Sequence, residues 1–364
     1  MKEKIFQSPS RYIQGTCLIG KLPEYTKAFG SRLLLLVSAG NTGRMQKQLK
    51  QIASEPEVFV AVEVFRGECT QKEIDRIRAV CQKEQIDVIA GIGGGKVIDT
   101  AKAVSHFECL RLAVVPTTAS SDAPCSALSI VYKEDGGLDK LLWLRTNPDL
   151  VLADLDLIVR APAHLLAVGM GDALATYFEM KECYAKDADN FCGGRITLAA
   201  RAIARQCYET IIEDGYQAYL SVKKQCVTGA LENVVEANTL LSGIGFESGG
   251  ICAAHPINNG LAELAQTHPY MHGEKVAFAL LCQLILAQEP QETLREVIGL
   301  FRKIGLPVTL QELGLKNINR KELELVAKIA NQDPCTHNLS RRVEEETIIS
   351  AILLADETGS SFKL

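Results

Sequence analysis

The sequence has no uninterrupted apolar run of the roughly 18 residues that a membrane-spanning helix needs, and its first ten residues contain no apolar signal core. Cysteine occurs 12 times, but no CxxC pair is present and the spacing indicates no disulfide framework. Basic residues cluster only as dipeptides such as Lys223-Lys224, and the formal net charge is -5, so nucleic acid is an unsuitable partner. We therefore expect a cytoplasmic protein that binds neither membrane nor nucleic acid, and whose cysteines are mostly small buried apolar side chains.

The composition is that of an ordinary globular chain. Hydrophobic residues make up 47% of the 364 residues and charged residues 23%, which excludes a mostly disordered or low-complexity protein. At about 150 residues per domain, this length predicts two domains. Pro148 and Pro162 indicate a hinge, so we predict a first domain over residues 1–160 and a second over residues 161–364.

The first 155 residues alternate short apolar runs with amphipathic stretches, as in a doubly wound parallel sheet. Continuous apolar runs, typical of strands buried on both faces, lie at 33–37, 58–64, 88–91 and 112–115. Helical periodicity is found at 70–83 and then, after about residue 160, at 165–184, 194–214 and 218–241. The expected fold is an α/β N-terminal domain with a mainly parallel, Rossmann-like sheet, followed by an all-α C-terminal domain.

A glycine-rich turn follows the third predicted strand. Residues 91–102 (GIGGGKVIDTAK) end a buried strand and begin a helix, so backbone N–H groups and the helix N-terminus could bind a pyrophosphate. Lys96 and Asp99 fall on the first turn of that helix, where either could contact phosphate or ribose. The spacing matches neither GxGxxG nor GxxxxGK[ST], and a tight turn that binds nothing is the alternative.

A second polar loop follows the fourth predicted strand. Residues 116–124 (PTTASSDAP) concentrate hydroxyl groups where a parallel strand ends, which is the edge at which open α/β sheets bind ligands. Asp122 is the only charged residue of this loop. It is either a ligand-binding group or the cap of a turn.

Three separated residues could form a metal site in the second half. Two of the six histidines, His255 and His272, lie beside glycines near predicted helices, and Asp172 follows Gly171 at what we expect to be a helix start. Two imidazoles and one carboxylate are a common ligand set for a catalytic Zn²⁺ that keeps its fourth position open. The alternatives are that Asp172 is a plain N-cap, or that His268 pairs with His272, which Pro269 disfavours.

Several long blocks make the chain recognisable over nearly its whole length. They are residues 8–15, 93–96, 122–129, 169–176, 241–250 and 272–278. The sequence resembles the group III, or iron-containing, alcohol dehydrogenase superfamily, and within it the glycerol dehydrogenases. The resemblance implies a fold shared with dehydroquinate synthase, with the active site in the cleft between the two domains, and a cytoplasmic homo-oligomer, often an octamer.

The resemblance also implies roles for particular residues. The metal ligands are Asp172, His255 and His272; iron-binding branches add a histidine four residues after the aspartate, but Thr176 stands there, which favours the zinc-type branch. Asp122 and His255 would serve catalysis, and both would contact substrate together with Phe246. The residues implied to bind NAD are Gly94, Gly95, Lys96, Asp99, Thr117, Ser120, Ser126, Leu128 and Tyr132.

Two departures from the family pattern affect specificity. Ser38-Ala39 stands where NAD-using members carry an acidic residue that binds the adenosine ribose, so repulsion of a 2′-phosphate is lost and NADP becomes a candidate coenzyme. Asn258 replaces a histidine of the family's His-Ala-Ile-His-Asn-Gly, which changes a hydrogen-bonding group beside the site and could change the preferred polyol.

These observations predict a metal-dependent oxidoreductase that transfers a hydride between NAD(P) and the secondary hydroxyl of a small polyol such as glycerol. Zn²⁺ would act as a Lewis acid on that hydroxyl, and Asp122 would orient its neighbour. The main alternative is a hydroxycarboxylate or sugar-phosphate dehydrogenase of the same superfamily. A dehydroquinate synthase and a catalytically silent nucleotide-binding protein are the remaining alternatives.

Overall fold

The computed structural model describes residues 2–363, which form two compact units. One unit is α/β and comprises Ser8–Ala161 with the short segment Gln225–Val227. The other is helical and comprises Pro162–Lys224 and the chain from Thr228 onward, together with an N-terminal segment that ends at Gln7.

The α/β unit contains a six-stranded sheet and a separate two-stranded hairpin. The eight strands are β1 Tyr12–Gly15, β2 Arg32–Ser38, β3 Phe59–Phe65, β4 Val88–Gly93, β5 Arg111–Pro116, β6 Leu128–Tyr132, β7 Leu138–Trp143 and β8 Leu150–Asp154. The large sheet has the order β1-β8-β5-β4-β2-β3, all parallel, whereas β6 and β7 pair antiparallel. After β2 the chain adds β3 at one edge of the sheet. It then returns to form β4 on the opposite side of β2, and β5 follows next to β4, toward the other edge. Right-handed crossovers then put the connecting helices on opposite faces, which is the doubly wound arrangement predicted.

The helices are distributed unequally between the units. Those of the α/β unit are α1 Leu22–Thr26, α2 Ala39–Arg44, α3 Gln46–Ala53, α4 Gln71–Lys83, α5 Gly95–Glu108 and α6 Leu155–Ile158. Those of the helical unit are α7 Ala163–Ala185, α8 Leu198–Lys223, α9 Gly229–Glu236, α10 Ser242–Gly249, α11 Ala254–Ala262, α12 His272–Leu286, α13 Gln291–Ile304, α14 Arg320–Gln332 and α15 Glu345–Ser361. A π-helical segment, Ala237–Leu241, joins α9 to α10, and none of the helices in residues 2–363 is long and apolar enough to cross a membrane.

One face of the large sheet forms a core against α1 and α3. Alternate residues of the central strands, such as Leu33, Leu35 and Val37 of β2, point into this core because strand side chains alternate between faces. The four predicted strands therefore form as expected. The one at the edge differs in burial: Phe59, Val62 and Val64 of β3 are about two-fifths exposed because only β2 pairs with it.

The structure corrects two expectations for the helical half. The predicted break between 214 and 218 is wrong, because α8 continues through Gly215 to Lys223, where the chain turns and Thr228 caps α9. A Cβ at Gly215 would lie 3.0 Å from Met170 Sδ, so this glycine serves close helix packing rather than a turn. Asp172 is the tenth residue of α7, not a residue at a helix start, which excludes a capping role for it. All twelve cysteines are free, as expected.

Candidate metal centre

Helices α7 and α12 cross with their backbones in close contact. A Cβ at Gly171 would lie 2.6 Å from the carbonyl oxygen of Gly273, and a Cβ at Gly273 would lie 2.1 Å from that of Val168. Only glycine at both positions permits this approach. Because Asp172 and His272 are the residues adjoining these glycines, the crossing brings their side chains together.

Three side chains converge at this crossing. His255 Nε2 lies 3.5 Å and His272 Nε2 lies 3.4 Å from Asp172 Oδ1, and one ligand atom from each of the three lies within 4.8 Å of the other two. A tetrahedral zinc with bonds of about 2.0–2.1 Å separates neighbouring ligand atoms by about 3.4 Å. The two measured separations match that spacing, so the donor set fits a tetrahedral divalent metal. The residues predicted as metal ligands are thus brought together.

Glu179 orients one of these ligands and was not predicted from the sequence. Its fully buried carboxylate accepts a hydrogen bond of 2.6 Å from His255 Nδ1, and also bonds from the backbone N–H groups of His255 at 3.1 Å and Cys252 at 3.0 Å. With the proton held on Nδ1, the Nε2 lone pair of His255 is available to a metal. The signal that could have found Glu179 is its spacing of seven residues, or two helical turns, from Asp172.

Two of these side chains, Asp172 and His255, have strongly shifted pKa values. Burial alone would raise the pKa of Asp172, but the adjacent His272 and His255 hold it well below its usual range. Burial alone would lower the pKa of His255, but Glu179 and Asp172 flank the ring and raise it. The carboxylate is therefore in the ionised form that a cation requires.

Thr176 occupies the next turn of α7 below Asp172. Its hydroxyl lies 3.1 Å from Ser242 Oγ, and a Cβ at Gly245 would lie 2.6 Å from Thr176 Cγ2. The position is buried and tightly packed, so it offers neither a nitrogen ligand nor room for an imidazole. This packing fits the prediction of a three-residue ligand set.

Aromatic rings lie beside the ligands. The Phe246 ring stacks on His255 at 6.4 Å between centroids, and Phe191, which the sequence did not single out, lies 5.1 Å from Phe246. Both phenylalanines are only half-buried, so they leave an apolar surface next to His255. Asn258, one turn after His255 on α11, is buried, and its amide donates to Asn259 Oδ1 at 3.2 Å.

The predicted coenzyme residues lie in the α/β unit, at the carboxyl ends of adjacent strands. Gly94 caps α5 directly after β4, and Thr117, which follows β5, donates its backbone N–H to Gly93 O at 3.0 Å. A Cβ at Gly94 would meet the Thr118 hydroxyl at 3.7 Å, and that hydroxyl lies 3.1 Å from Ser120 Oγ. The glycine turn and the hydroxyl loop thus adjoin each other at the carboxyl edge of the sheet, where such sheets bind ligands, and the glycine turn borders the point between β4 and β2 at which the crossovers diverge.

The remaining predicted coenzyme residues surround α5. Gly95 and the exposed Lys96 form its first turn, and the Lys96 ammonium pairs with Glu68. Asp99 is buried, which raises the pKa of its carboxyl to about 7. Three others lie on or just before β6, namely Ser126, Leu128 and Tyr132. No role was predicted from the sequence for Lys102, a fully buried lysine of α5 that donates to Leu128 O at 2.8 Å.

The end of β2 and the loop after β5 complete the polar edge of this unit. Ser38 ends β2, and its hydroxyl accepts a bond of 2.8 Å from Asn41 Nδ2, which also donates to Thr117 Oγ1 at 3.0 Å. Ala39 is exposed and begins α2. Asp122 is half-buried in the turn after β5, where its backbone oxygen accepts from Cys125 N–H at 3.1 Å.

Comparison with known proteins first defines the class. Residues 9–155 match the family of iron-containing alcohol dehydrogenases. The polar edge of a doubly wound sheet and the ligand set in a helical unit are consistent with that class.

Full-length relatives then identify the branch. Glycerol dehydrogenase of Escherichia coli O6:H1 is 44% identical over 99% of this chain and 98% of its own. The crystal structure of glycerol dehydrogenase from Schizosaccharomyces pombe has a TM-score of 0.93 at 38% identity and covers 99% of this chain and 92% of that one. That of a probable glycerol dehydrogenase from Sinorhizobium meliloti 1021 has a TM-score of 0.91 at 37% identity and covers 100% of both. The chain belongs to the glycerol dehydrogenase family of iron-containing-type alcohol dehydrogenases, which confirms the resemblance predicted from the sequence.

Proposed function

We propose that this protein is a zinc-dependent polyol dehydrogenase that transfers a hydride between NAD(P) and the secondary hydroxyl of a small vicinal diol, with glycerol and dihydroxyacetone as the expected pair. The observation that carries the proposal is the ligand set of Asp172, His255 and His272, whose nitrogen-to-oxygen spacings of 3.4 and 3.5 Å fit a tetrahedral metal. Full-length relatives that are glycerol dehydrogenases support the substrate class.

Bound zinc would supply Lewis-acid chemistry that lowers the pKa of a substrate hydroxyl toward neutrality. The protein's part is to keep the three donor atoms at fixed spacing. Glu179 holds the His255 ring with its Nε2 lone pair free, and the α7–α12 crossing fixes Asp172 relative to His272. His272 is half-exposed, which supports access of a small ligand to this position.

A nicotinamide coenzyme would supply the hydride acceptor. The backbone N–H groups at the start of α5, around Gly94 and Gly95, suit its pyrophosphate because a helix N-terminus combines backbone donors with the positive end of the helix dipole. No carboxylate stands at Ser38 or Ala39 to repel a 2′-phosphate, so we expect measurable use of both NAD and NADP.

Two further residues are proposed to act on the substrate. The Asp122 carboxylate would accept a hydrogen bond from the hydroxyl next to the reacting carbon, and would thereby orient a vicinal diol. Phe246 would border the carbon skeleton with its half-buried ring, which stacks on His255. Neither a hydroxycarboxylate nor a sugar phosphate is favoured as substrate, since full-length relatives at 40–44% identity are glycerol dehydrogenases.

The test is an initial-rate panel of glycerol, 1,2-propanediol, 2,3-butanediol and 2-propanol with each coenzyme, before and after chelation and with metal add-back. We expect vicinal diols to be oxidised, activity to vanish on chelation, and Zn²⁺ to restore it. Asp172→Asn should bind less zinc in a direct metal analysis, whereas Asp214→Asn on the neighbouring helix α8 is the matched control. Oxidation of hydroxycarboxylates in preference to every diol would refute the proposal.

Two further proposals concern the cellular location and the oligomeric state. We propose a cytoplasmic location, which twelve free cysteines support because a reducing compartment preserves them. We also propose a homo-oligomer, an octamer by family resemblance, which light scattering coupled to size exclusion measures directly.

A further inference from the structure

The α/β unit contains a buried cation that the proposed mechanism does not use. Lys102, on the second turn of α5 after the glycine turn, has no exposed surface, although lysine is among the residues that are almost never fully buried without partners. A buried ammonium must be hydrogen-bonded to compensate for the water it has lost. Its partners therefore indicate what it does.

Lys102 joins α5 to the strand β6. Its ammonium donates to the backbone oxygen of Leu128 at 2.8 Å and to Ser126 Oγ at 3.3 Å. A second tether runs in the opposite direction, since Ser129 Oγ donates to the backbone oxygen of Asp99 at 2.9 Å.

These tethers connect two groups of proposed coenzyme residues. The N-terminus of α5 carries Gly95 and Lys96, whereas β6 and the residues before it carry Ser126, Leu128 and Tyr132. The hairpin of β6 and β7 is not part of the large sheet, so its position depends on contacts of this kind. The far end of β6 is fixed separately, because Tyr132 N–H donates to the backbone oxygen of Cys69 at 2.8 Å.

We infer that Lys102 is a positioning residue for the coenzyme: its buried ammonium holds β6 at a fixed distance from the glycine turn, so that both sides of the dinucleotide site are formed before the coenzyme binds. This inference rests on the proposed coenzyme residues. It assigns Lys102 no contact with substrate and no part in the chemical step. Without the ammonium, Leu128 O would lose this donor, and only the Ser129 hydroxyl would hold that end of β6 to α5.

The test substitutes Lys102→Met, which keeps the length of the side chain but removes its charge and its three donors. Binding of NADH is measured by fluorescence titration, together with the KM for coenzyme, the KM for glycerol and kcat per folded, zinc-loaded subunit. We expect the Kd for NADH and the coenzyme KM to rise about ten-fold, the scale of one hydrogen bond to a charged group, while kcat and the glycerol KM change less than about two-fold. Lys140→Met, in the exposed strand β7 of the same hairpin, is the matched control and should leave all four quantities unchanged.

The outcomes separate positioning from a merely structural role. Because kcat and the NADH Kd both refer to folded subunits, a loss of folded enzyme alone changes neither. A folded Lys102→Met with an NADH Kd within two-fold of wild type therefore overturns the inference. If Lys102→Met does not fold, Ser129→Ala removes the second tether without disturbing the charge; it should weaken NADH binding about three-fold, and an unchanged Kd overturns the inference. A wild-type protein that binds NADH but oxidises no diol refutes the proposed function and leaves this test intact.

Discussion

Replacing Glu179 with glutamine should weaken zinc binding although Glu179 does not itself contact the metal position. The carboxylate accepts the Nδ1 proton of His255 at 2.6 Å. In Glu179→Gln, an amide N–H2 group can face Nδ1 instead, and this favours the tautomer with its proton on Nε2. That tautomer has no lone pair for a metal at Nε2.

The size of the effect follows from the geometry. Loss of such an orienting hydrogen bond costs about 10–100-fold in metal affinity, or roughly 1.4–2.8 kcal/mol. We expect the upper part of that range because Glu179 is fully buried, and water cannot replace the lost acceptor. The same carboxylate also holds the backbone N–H groups at 252 and 255, so Glu179→Ala should be worse than Glu179→Gln.

The assay is competition for Zn²⁺ with a chromophoric chelator, which needs no enzyme activity. The matched control is Glu182→Gln, on the same helix, which is also buried and accepts a backbone hydrogen bond of 2.9 Å from Ser340 but contacts no ligand. A folded Glu179→Gln that binds Zn²⁺ within two-fold of both wild type and the control would show that Glu179 does not orient His255.

Three further predictions concern other parts of the fold. Asp122→Ala should reduce kcat/KM for vicinal diols at least ten-fold more than for 2-propanol, and equal losses on both would contradict its orienting role. Glu68→Gln should lower the Kd for NADH up to about five-fold, because Glu68 then no longer competes with the coenzyme for Lys96 through an exposed ion pair of up to about 1 kcal/mol. Titration with NADH at two salt concentrations measures this effect, and an unchanged Kd contradicts it. Gly273→Ala should lower the Tm and the zinc affinity together, since its Cβ would lie 2.1 Å from Val168 O; Gly299→Ala, with 3.6 Å of clearance, is the control, and a wild-type Tm for Gly273→Ala would refute the crossing argument.

Elements with a strong local signal were predictable. The run from Leu33 to Val37 is apolar at every position because neighbouring strands and helices cover it completely, and it forms β2 as expected. The helix at 70–83 was recognised by its periodicity, and Thr70 caps it by accepting from Glu73 N–H at 3.3 Å. The ligand set followed from the family blocks, because its three members are separated by 83 and 17 residues and no local rule connects them.

The rest depended on contacts distant in sequence. The sequence predicts that a helix ends just before Gly215. In the structure the helix continues, and the absence of a side chain at Gly215 lets α8 pack closely against α7. The burial of Lys102 and the role of Glu179 are visible only once α5 meets β6 and α7 meets α11, because the sequence around each is ordinary for a helix. The strand β8 was not predicted, although its buried run Leu150–Ala153 is as long as the apolar runs at 88–91 and 112–115, so its signal was present in the sequence.

The glycine contact between α7 and α12 makes the distance between Asp172 and His272 independent of the side chains around them. The spacing of Asp172 and His272 is set where backbone meets backbone, at Gly171 and Gly273, so it does not depend on the size of any side chain. Neighbouring positions such as Phe246 and Asn258 can therefore change during evolution without altering the distance between Asp172 and His272. New substrate preferences can arise on this scaffold while these two donors keep the spacing they offer to the ion.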